Sequence, residues 1–219
     1  MNSKTKQLVT AGMICAMAFV LVSLINIPII PGVEFLKYEP KDIIITIGGF
    51  VLGPWAVLMS SVVVSFIELF TISNTGIIGL IMNILSTCGF SLPAAIIYKK
   101  KHSLSGAIIG LAVGTVAMTA LMLLWNYLIT PLYMEIPREQ IVPMLTTIFT
   151  PFNMLKGIIN SAAILLLYKP LITALRKAKL VEKKESGESS KKNGLVALLI
   201  GAFVLATSIV IVLVINGII

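Results

Sequence analysis

Continuous apolar runs recur along this chain at 8–30, 55–70, 77–98, 104–129, 146–168 and 195–219. Each is close to the roughly 20 residues that a helix needs to cross a bilayer. In hydrocarbon a backbone must satisfy its own polar groups, so such runs become helices. A β-barrel would instead need short alternating segments, and these runs do not alternate. The composition agrees, with 58% hydrophobic and only 12% charged residues and a mean hydropathy of +1.03. The chain reads as an all-α integral membrane protein. Its 219 residues leave room for about six or seven spans and none for a separate soluble domain.

A shorter apolar stretch, 42–52, is interrupted by Gly48-Gly49 and closed by Gly53-Pro54. Short or glycine-interrupted segments are common where membrane proteins build a binding site. Lys4 and Lys6 ahead of the first run have the outline of a secretory signal, but no small-residue cleavage site follows. The run is therefore expected to be kept as the first helix, ending at Pro28 and Pro31. Gly106, Gly110 and Gly114, with Ala117 and Ala120, predict close helix contact along 104–129. A loop holding Pro131, Pro137 and Pro143 precedes the sixth helix, 146–168. The expected organisation is a six-helix binding domain over 1–179, a charged linker over 180–194 and a further transmembrane helix over 195–219. Cys15 and Cys88 lie in apolar segments and read as small buried side chains.

Basic residues fix the expected orientation through the positive-inside rule. With the amino terminus in the cytoplasm, Lys4, Lys6, the Lys99-Lys100-Lys101 run, Lys169 and the basic residues of 176–192 all fall inside. Only Lys37, Lys41 and Arg138 fall outside. Topology and anionic inner-leaflet lipid thus account for the net charge of +8, and nucleic-acid binding is not needed to explain it.

Lys156 stands within the 146–168 run, three residues after Asn153 and four before Asn160. At 3.6 residues per turn the three share one face. An ionisable group at that depth costs roughly 3 kcal/mol or more unless it meets a partner or a wet cavity, which makes it a functional-site candidate. No acid lies at i±3 or i±4 to pair with it. Glu68, Asn83, Asn126 and Asn153 fall with it in the outer half of the membrane. Above them lie the aromatic loop residues Phe35, Tyr38, Tyr127 and Tyr133, with Phe149 and Phe152 entering the sixth helix. This pattern predicts an outward-facing pocket for a planar molecule carrying hydroxyls or amides.

Competing readings remain open for several of these residues. Trp55, Tyr98 and Tyr133 suit interface anchors, and Asn83 and Asn160 suit interhelical hydrogen bonding worth around 1 kcal/mol. An intramembrane enzyme would need a nucleophile with a base, or a metal cluster. The one histidine, His102, sits in the basic inner loop, remote from Glu68 and Lys156, so the chain reads as no enzyme. No Gly-x-x-x-x-Gly-Lys-[Ser/Thr] phosphate loop occurs, so any ATP-driven work falls to a partner.

Three stretches carry a resemblance. They are Glu34-Phe35-Leu36-Lys37-Tyr38-Glu39-Pro40-Lys41-Asp42 running on to Gly48-Gly49-Phe50 and Gly53-Pro54, then Asn126-Tyr127-Leu128-Ile129-Thr130-Pro131-Leu132-Tyr133-Met134, and Pro151-Phe152-Asn153-Met154-Leu155-Lys156-Gly157. In order and content they resemble the riboflavin-specific substrate-binding subunits of energy-coupling factor (ECF) transporters, the RibU family, over about 6–179. The resemblance implies a six-helix subunit that captures riboflavin from outside the cell. Its implied partners are a transmembrane coupling subunit and two cytoplasmic ATPases. It also implies that Leu36, Lys37 and Tyr38 contact the isoalloxazine ring while Asn126, Asn153 and Lys156 bond the ribityl chain or ring carbonyls. Asn83 and Phe152 complete the expected pocket.

The family tends to carry an Ala-x-x-x-Ala docking pattern in the first helix. Here Gly12 with Ala16, or Ala11 with Cys15, preserves only the spacing of small residues. The apolar 195–219 run is a second departure. Two other readings stay open: a solitary carrier using Glu68 and Lys156 as a charge pair, and a flavin-nucleotide importer (FMN or FAD) in which Lys37, Lys41 or Arg138 meets a phosphate. Lys156→Ala is expected to weaken ligand binding far more than Lys169→Ala. Equal, small effects in a titration of the two purified variants would remove the sixth-helix site.

Overall fold

A computed structural model of the chain describes residues 3–30, 36–178 and 189–218. Glu34 and Phe35 of the quoted loop, the Pro31-Gly32 pair and most of the charged linker lie outside the described residues. Helix α1 is Ser3–Leu24, and strands β1 (Ile27–Pro28) and β2 (Lys37–Tyr38) follow. Then come α2 (Lys41–Leu52), α3 (Pro54–Thr71), α4 (Gly76–Lys101) and α5 (Leu104–Met134). A short α6 (Arg138–Met144) leads through a π-helical turn, Leu145–Phe149, into α7 (Thr150–Lys177), and α8 is Ser189–Ile215. Among the described residues, six helical stretches are long and apolar enough to cross a membrane. The protein is a multi-pass helical membrane protein.

Helix α2 is not one of the six. Its 12 residues extend only about 18 Å, well short of a roughly 30 Å hydrocarbon core. It begins level with the C-terminal end of α3, because Lys41 at its start bonds Glu68 near that end. Gly53 joins the two helices at φ 97°, a conformation that disfavours any side chain, and Pro54 then occupies the first turn of α3.

Several boundaries differ from the sequence expectation for identifiable reasons. The first helix stops at Leu24 rather than near residue 30, since a proline biases its predecessor toward extended backbone. Ile27 and Pro28 instead pair antiparallel with Tyr38 and Lys37. Helix α5 runs through Pro131 and ends only where Glu135 turns left-handed at φ 54°. Prolines are tolerated in membrane helices when neighbours re-satisfy the backbone. The 138–144 stretch, expected to be loop, is helical. The following π turn is closed by Thr150, whose hydroxyl donates to the Leu145 carbonyl at 2.7 Å.

The glycines of α5 act as the pattern predicts. A Cβ at Gly114 would lie 2.2 Å from the Phe90 carbonyl oxygen, and one at Gly110 would lie 3.0 Å from the Ala94 Cα. The backbones of α4 and α5 are therefore in direct contact, and the core of Phe90, Ala94, Leu111, Met118 and Met122 closes around that seam. A second core joins α1, α2 and α3 through Ile14, Ala18, Ile45, Val57 and Val64. Gly114→Ala is expected to destabilise the protein by about 1–3 kcal/mol through overpacking. Gly12→Ala, which meets nothing within 4 Å, should leave thermal unfolding of the detergent-purified protein unchanged.

Candidate functional site

One end of the helix bundle forms an open cavity of about 300 Å³, the lower end of the range for small-molecule sites. Leu36, Ile72, Met82, Met122, Tyr133 and Phe152 supply its apolar and aromatic lining. Asn26, Lys37, Glu39, Glu68, Asn83, Ser86, Asn126, Asn153 and Lys156 supply the polar part. Of the expected site residues, Leu36, Lys37, Asn83, Asn126, Phe152, Asn153 and Lys156 line this one space. Tyr38 does not. Its hydroxyl turns away and donates to Asn160 Oδ1 at 2.8 Å, because strand alternation sends neighbouring side chains to opposite faces. Burial, reinforced by the Asp42 carboxylate, pushes the Tyr38 phenol well above its ordinary range, so it stays a donor.

Beneath the cavity lies an ion network. Lys156, buried in α7, has its Nζ 3.3 Å from Asp42 Oδ2 and donates to Ser86 Oγ at 3.3 Å. Asp42 is fully buried and also accepts from Thr87 at 2.6 Å and from Asn160 at 3.4 Å. Lys41, only 1% exposed, pairs with Glu39 at 2.9 Å and with Glu68. Asn83 donates to the same Glu68 oxygen at 2.9 Å. Burial alone would raise the Glu39 pKa, but Lys41, with Lys156 and Lys37 nearby, holds this loop carboxyl below its usual range.

Lys41 is thus no exposed loop charge, and the partner of Lys156 is Asp42 of α2 rather than Glu68. The charge pair that a solitary carrier would have used is not formed. Sequence reading did not single out Asp42, Glu39 or Asn26. Asn26 falls inside the first helix by sequence pattern, and the signal that frees it is the Ile27-Pro28 pair that ends that helix early. Asp42 could have been found by asking which carboxylate beside an apolar run was free to meet an intramembrane lysine. Tyr133, for which both an interface anchor and a place above the pocket were open, lines the cavity. Tyr98 stacks on Phe50 at 4.4 Å and shares a 2.6 Å hydrogen bond with Tyr168, and Trp55 remains largely exposed.

On α1, Gly12 and Ala16 are exposed while Ala11 and Cys15 are half-buried, with Cys15 packed against the second core. Of the two small-residue pairs, Gly12 and Ala16 therefore present the open face.

A bundle of membrane helices with an open, polar-and-aromatic cavity at one end defines a solute-binding membrane component. Residues 6–168 match the family described as ECF transporter, substrate-specific component, and the chain belongs to that family. It is similar to "Riboflavin transporter FmnP" of Bacillus subtilis (strain 168), with 33% identity covering 80% of this chain and 98% of that protein. It is likewise similar to "Riboflavin transporter RibU" of Staphylococcus aureus (strain TCH60), with 32% identity covering 80% and 94%. A solved S component of a bacterial ECF transporter superposes with a TM-score of 0.66 at 32% identity, covering 79% of this chain and 99% of that one. The protein is a transporter component and not an enzyme.

Removing one partner of a buried ion pair strands the other charge, at a cost of roughly 3–5 kcal/mol. Lys41→Met is expected to lower stability by about that amount, and adding Glu68→Gln should recover part of the loss. Exposed Lys169→Met should change stability by no more than about 0.5 kcal/mol. Thermal unfolding of the purified variants reads all three.

Proposed function

We propose that this chain captures riboflavin from the extracellular side and delivers it as the substrate-binding subunit of an ATP-driven ECF transporter. The observation that carries this reading is the mixed wall of the cavity. Met82, Met122, Tyr133 and Phe152 offer apolar and aromatic surface suited to a flat ring system. Asn83, Asn126, Asn153 and Lys156 offer the amide and ammonium groups that hydroxyls and carbonyls need once water is displaced. Leu36 and Lys37 contact the ring from the loop side, and Asn126, Asn153 and Lys156 bond the ribityl chain or ring carbonyls. The names of the two relatives point to the same ligand.

Phosphorylated flavins fit this wall less well. Lys41 is committed to two carboxylates, and Arg138 lies over the Tyr127 ring at 5.2 Å. Glu39 and Glu68 line the cavity and would repel a phosphate. Of the three cations considered for a nucleotide, only Lys37 lines the cavity.

The amino terminus is cytoplasmic in this reading, which the basic residues of 4–6, 99–101 and 169–192 support. Residues 1–179 are the binding unit in this reading, and the charged linker that follows gives way to α8, which begins at Ser189 rather than near residue 195. The open Gly12–Ala16 face of α1 is the docking surface for the transmembrane coupling subunit, which brings two cytoplasmic ATPases.

Protein purified in detergent is expected to be yellow, or to quench the fluorescence of added riboflavin with saturation at one ligand per chain. FMN should compete at least about tenfold less well, a difference of 1.4 kcal/mol. A colourless preparation that leaves riboflavin fluorescence unchanged would overturn the vitamin reading. Equal competition by FMN would move it to flavin nucleotides.

A further inference from the structure

Helix α8 lies beyond the family match, which ends at residue 168, yet it does not sit in the structure as a bare lipid anchor. Gly201 and Ser208 are buried on one face, continued by half-buried Val212 and Asn216, at the spacing of a single helical stripe. A Cβ at Gly201 would lie 2.9 Å from the Ala162 carbonyl oxygen, so α8 and α7 meet backbone to backbone. Small residues on a membrane helix face are the usual means to such contact. The opposite side, with Phe203 74% exposed, is left for lipid.

The outer end of this stripe reaches the wall of the cavity. Asn216 Nδ2 donates to the Ile29 carbonyl at 3.0 Å, just beyond strand β1. Val212 packs against the cluster that contains Ile29, Leu36 and Phe152. Leu36 and Phe152 are themselves cavity lining. The hydrogen bond holds the backbone beside β1, and the apolar contact holds the residues that face the ligand. We propose that α8 is a built-in brace: through Asn216 and Val212 it fixes the β1–β2 pair and Leu36 against the cavity and so slows ligand release. A helix present only to anchor the chain would need neither a polar residue nor a contact at that point.

The release arm of the test rests on the riboflavin reading, and a ligand-independent arm keeps the two separable. In the full-length, ligand-free protein, Asn216→Ala and Val212→Ala are expected to speed amide hydrogen exchange across 25–30 and 36–39. Phe203→Ala should not. With riboflavin bound, the same two variants should release it roughly three- to tenfold faster in a fluorescence-recovery experiment, the upper value corresponding to about 1.4 kcal/mol. The unfolding midpoint of the ligand-free protein should stay within a degree or two, since the contact is peripheral to both cores. Exchange over 25–30 and 36–39 that matches the parent in both variants would overturn the brace, whatever the ligand. Faster exchange with unchanged riboflavin release would overturn its role in ligand retention. A parent that binds no riboflavin would refute the ligand assignment alone, and exchange would still decide the brace.

Discussion

The pairing of Lys156 with Asp42 ties the last helix of the six-helix unit to the short second helix, and most of the site hangs from that contact. A lysine at membrane depth is tolerated only beside a partner, and an isolated carboxylate there is no better placed. Each makes the other possible. Asp42 collects Thr87 of α4 and Asn160 of α7, while Asn160 accepts from Tyr38 of β2. Helices α2, α4 and α7 and the strand before α2 thus converge on one carboxylate. The neighbouring Lys41, bonded to Glu39 and Glu68, fastens α3 to the same junction. Buried ion pairs contribute little net stability compared with well-packed apolar residues. Their use here is geometric, because a helix as short as α2 has little apolar length with which to fix its own depth.

Above this junction the cavity takes its shape from packing that leaves little freedom. Direct backbone contact between α4 and α5 at Gly110 and Gly114 brings Asn83 and Asn126 to one opening, and the π turn before α7 presents Phe152 and Asn153 there. Single-turn π distortions are frequent at functional sites, where they rotate the following residues relative to a regular helix. Several polar lining side chains are held by their own neighbours, as with Asn153 on the Phe149 carbonyl and Asn126 on the Met122 carbonyl. They are oriented before a ligand arrives, which reduces the ordering cost of binding.

Much of this was legible in the sequence because the bilayer simplifies reading. Polar side chains inside long apolar runs stand out, and Asn83, Asn126, Asn153 and Lys156 were found by depth and helical spacing alone. The residues that escaped notice lie where that contrast fails. Lys41 and Asp42 adjoin a polar loop, so their charges looked solvated. Their burial depends on the β1–β2 pair and on α3, contacts distant in sequence. Asn26 was hidden by apolar neighbours on either side, and for Tyr38 the sequence offered no strand register from which its turn toward Asn160 could be read. Strand alternation reverses with a shift of one residue, and an irregular loop gives no register to read.

The ionisable groups of the cavity and its floor balance. Lys37, Lys41 and Lys156 face Glu39, Asp42 and Glu68, so with all six ionised the site carries no net charge. Moving one elementary charge through a membrane potential involves about 2.3 kcal/mol per 100 mV. A site whose six charges cancel exchanges no net work of this kind when it moves as a unit. The field across a membrane therefore neither holds these six groups in place nor drives them as a set, and their position is left to packing and pairing.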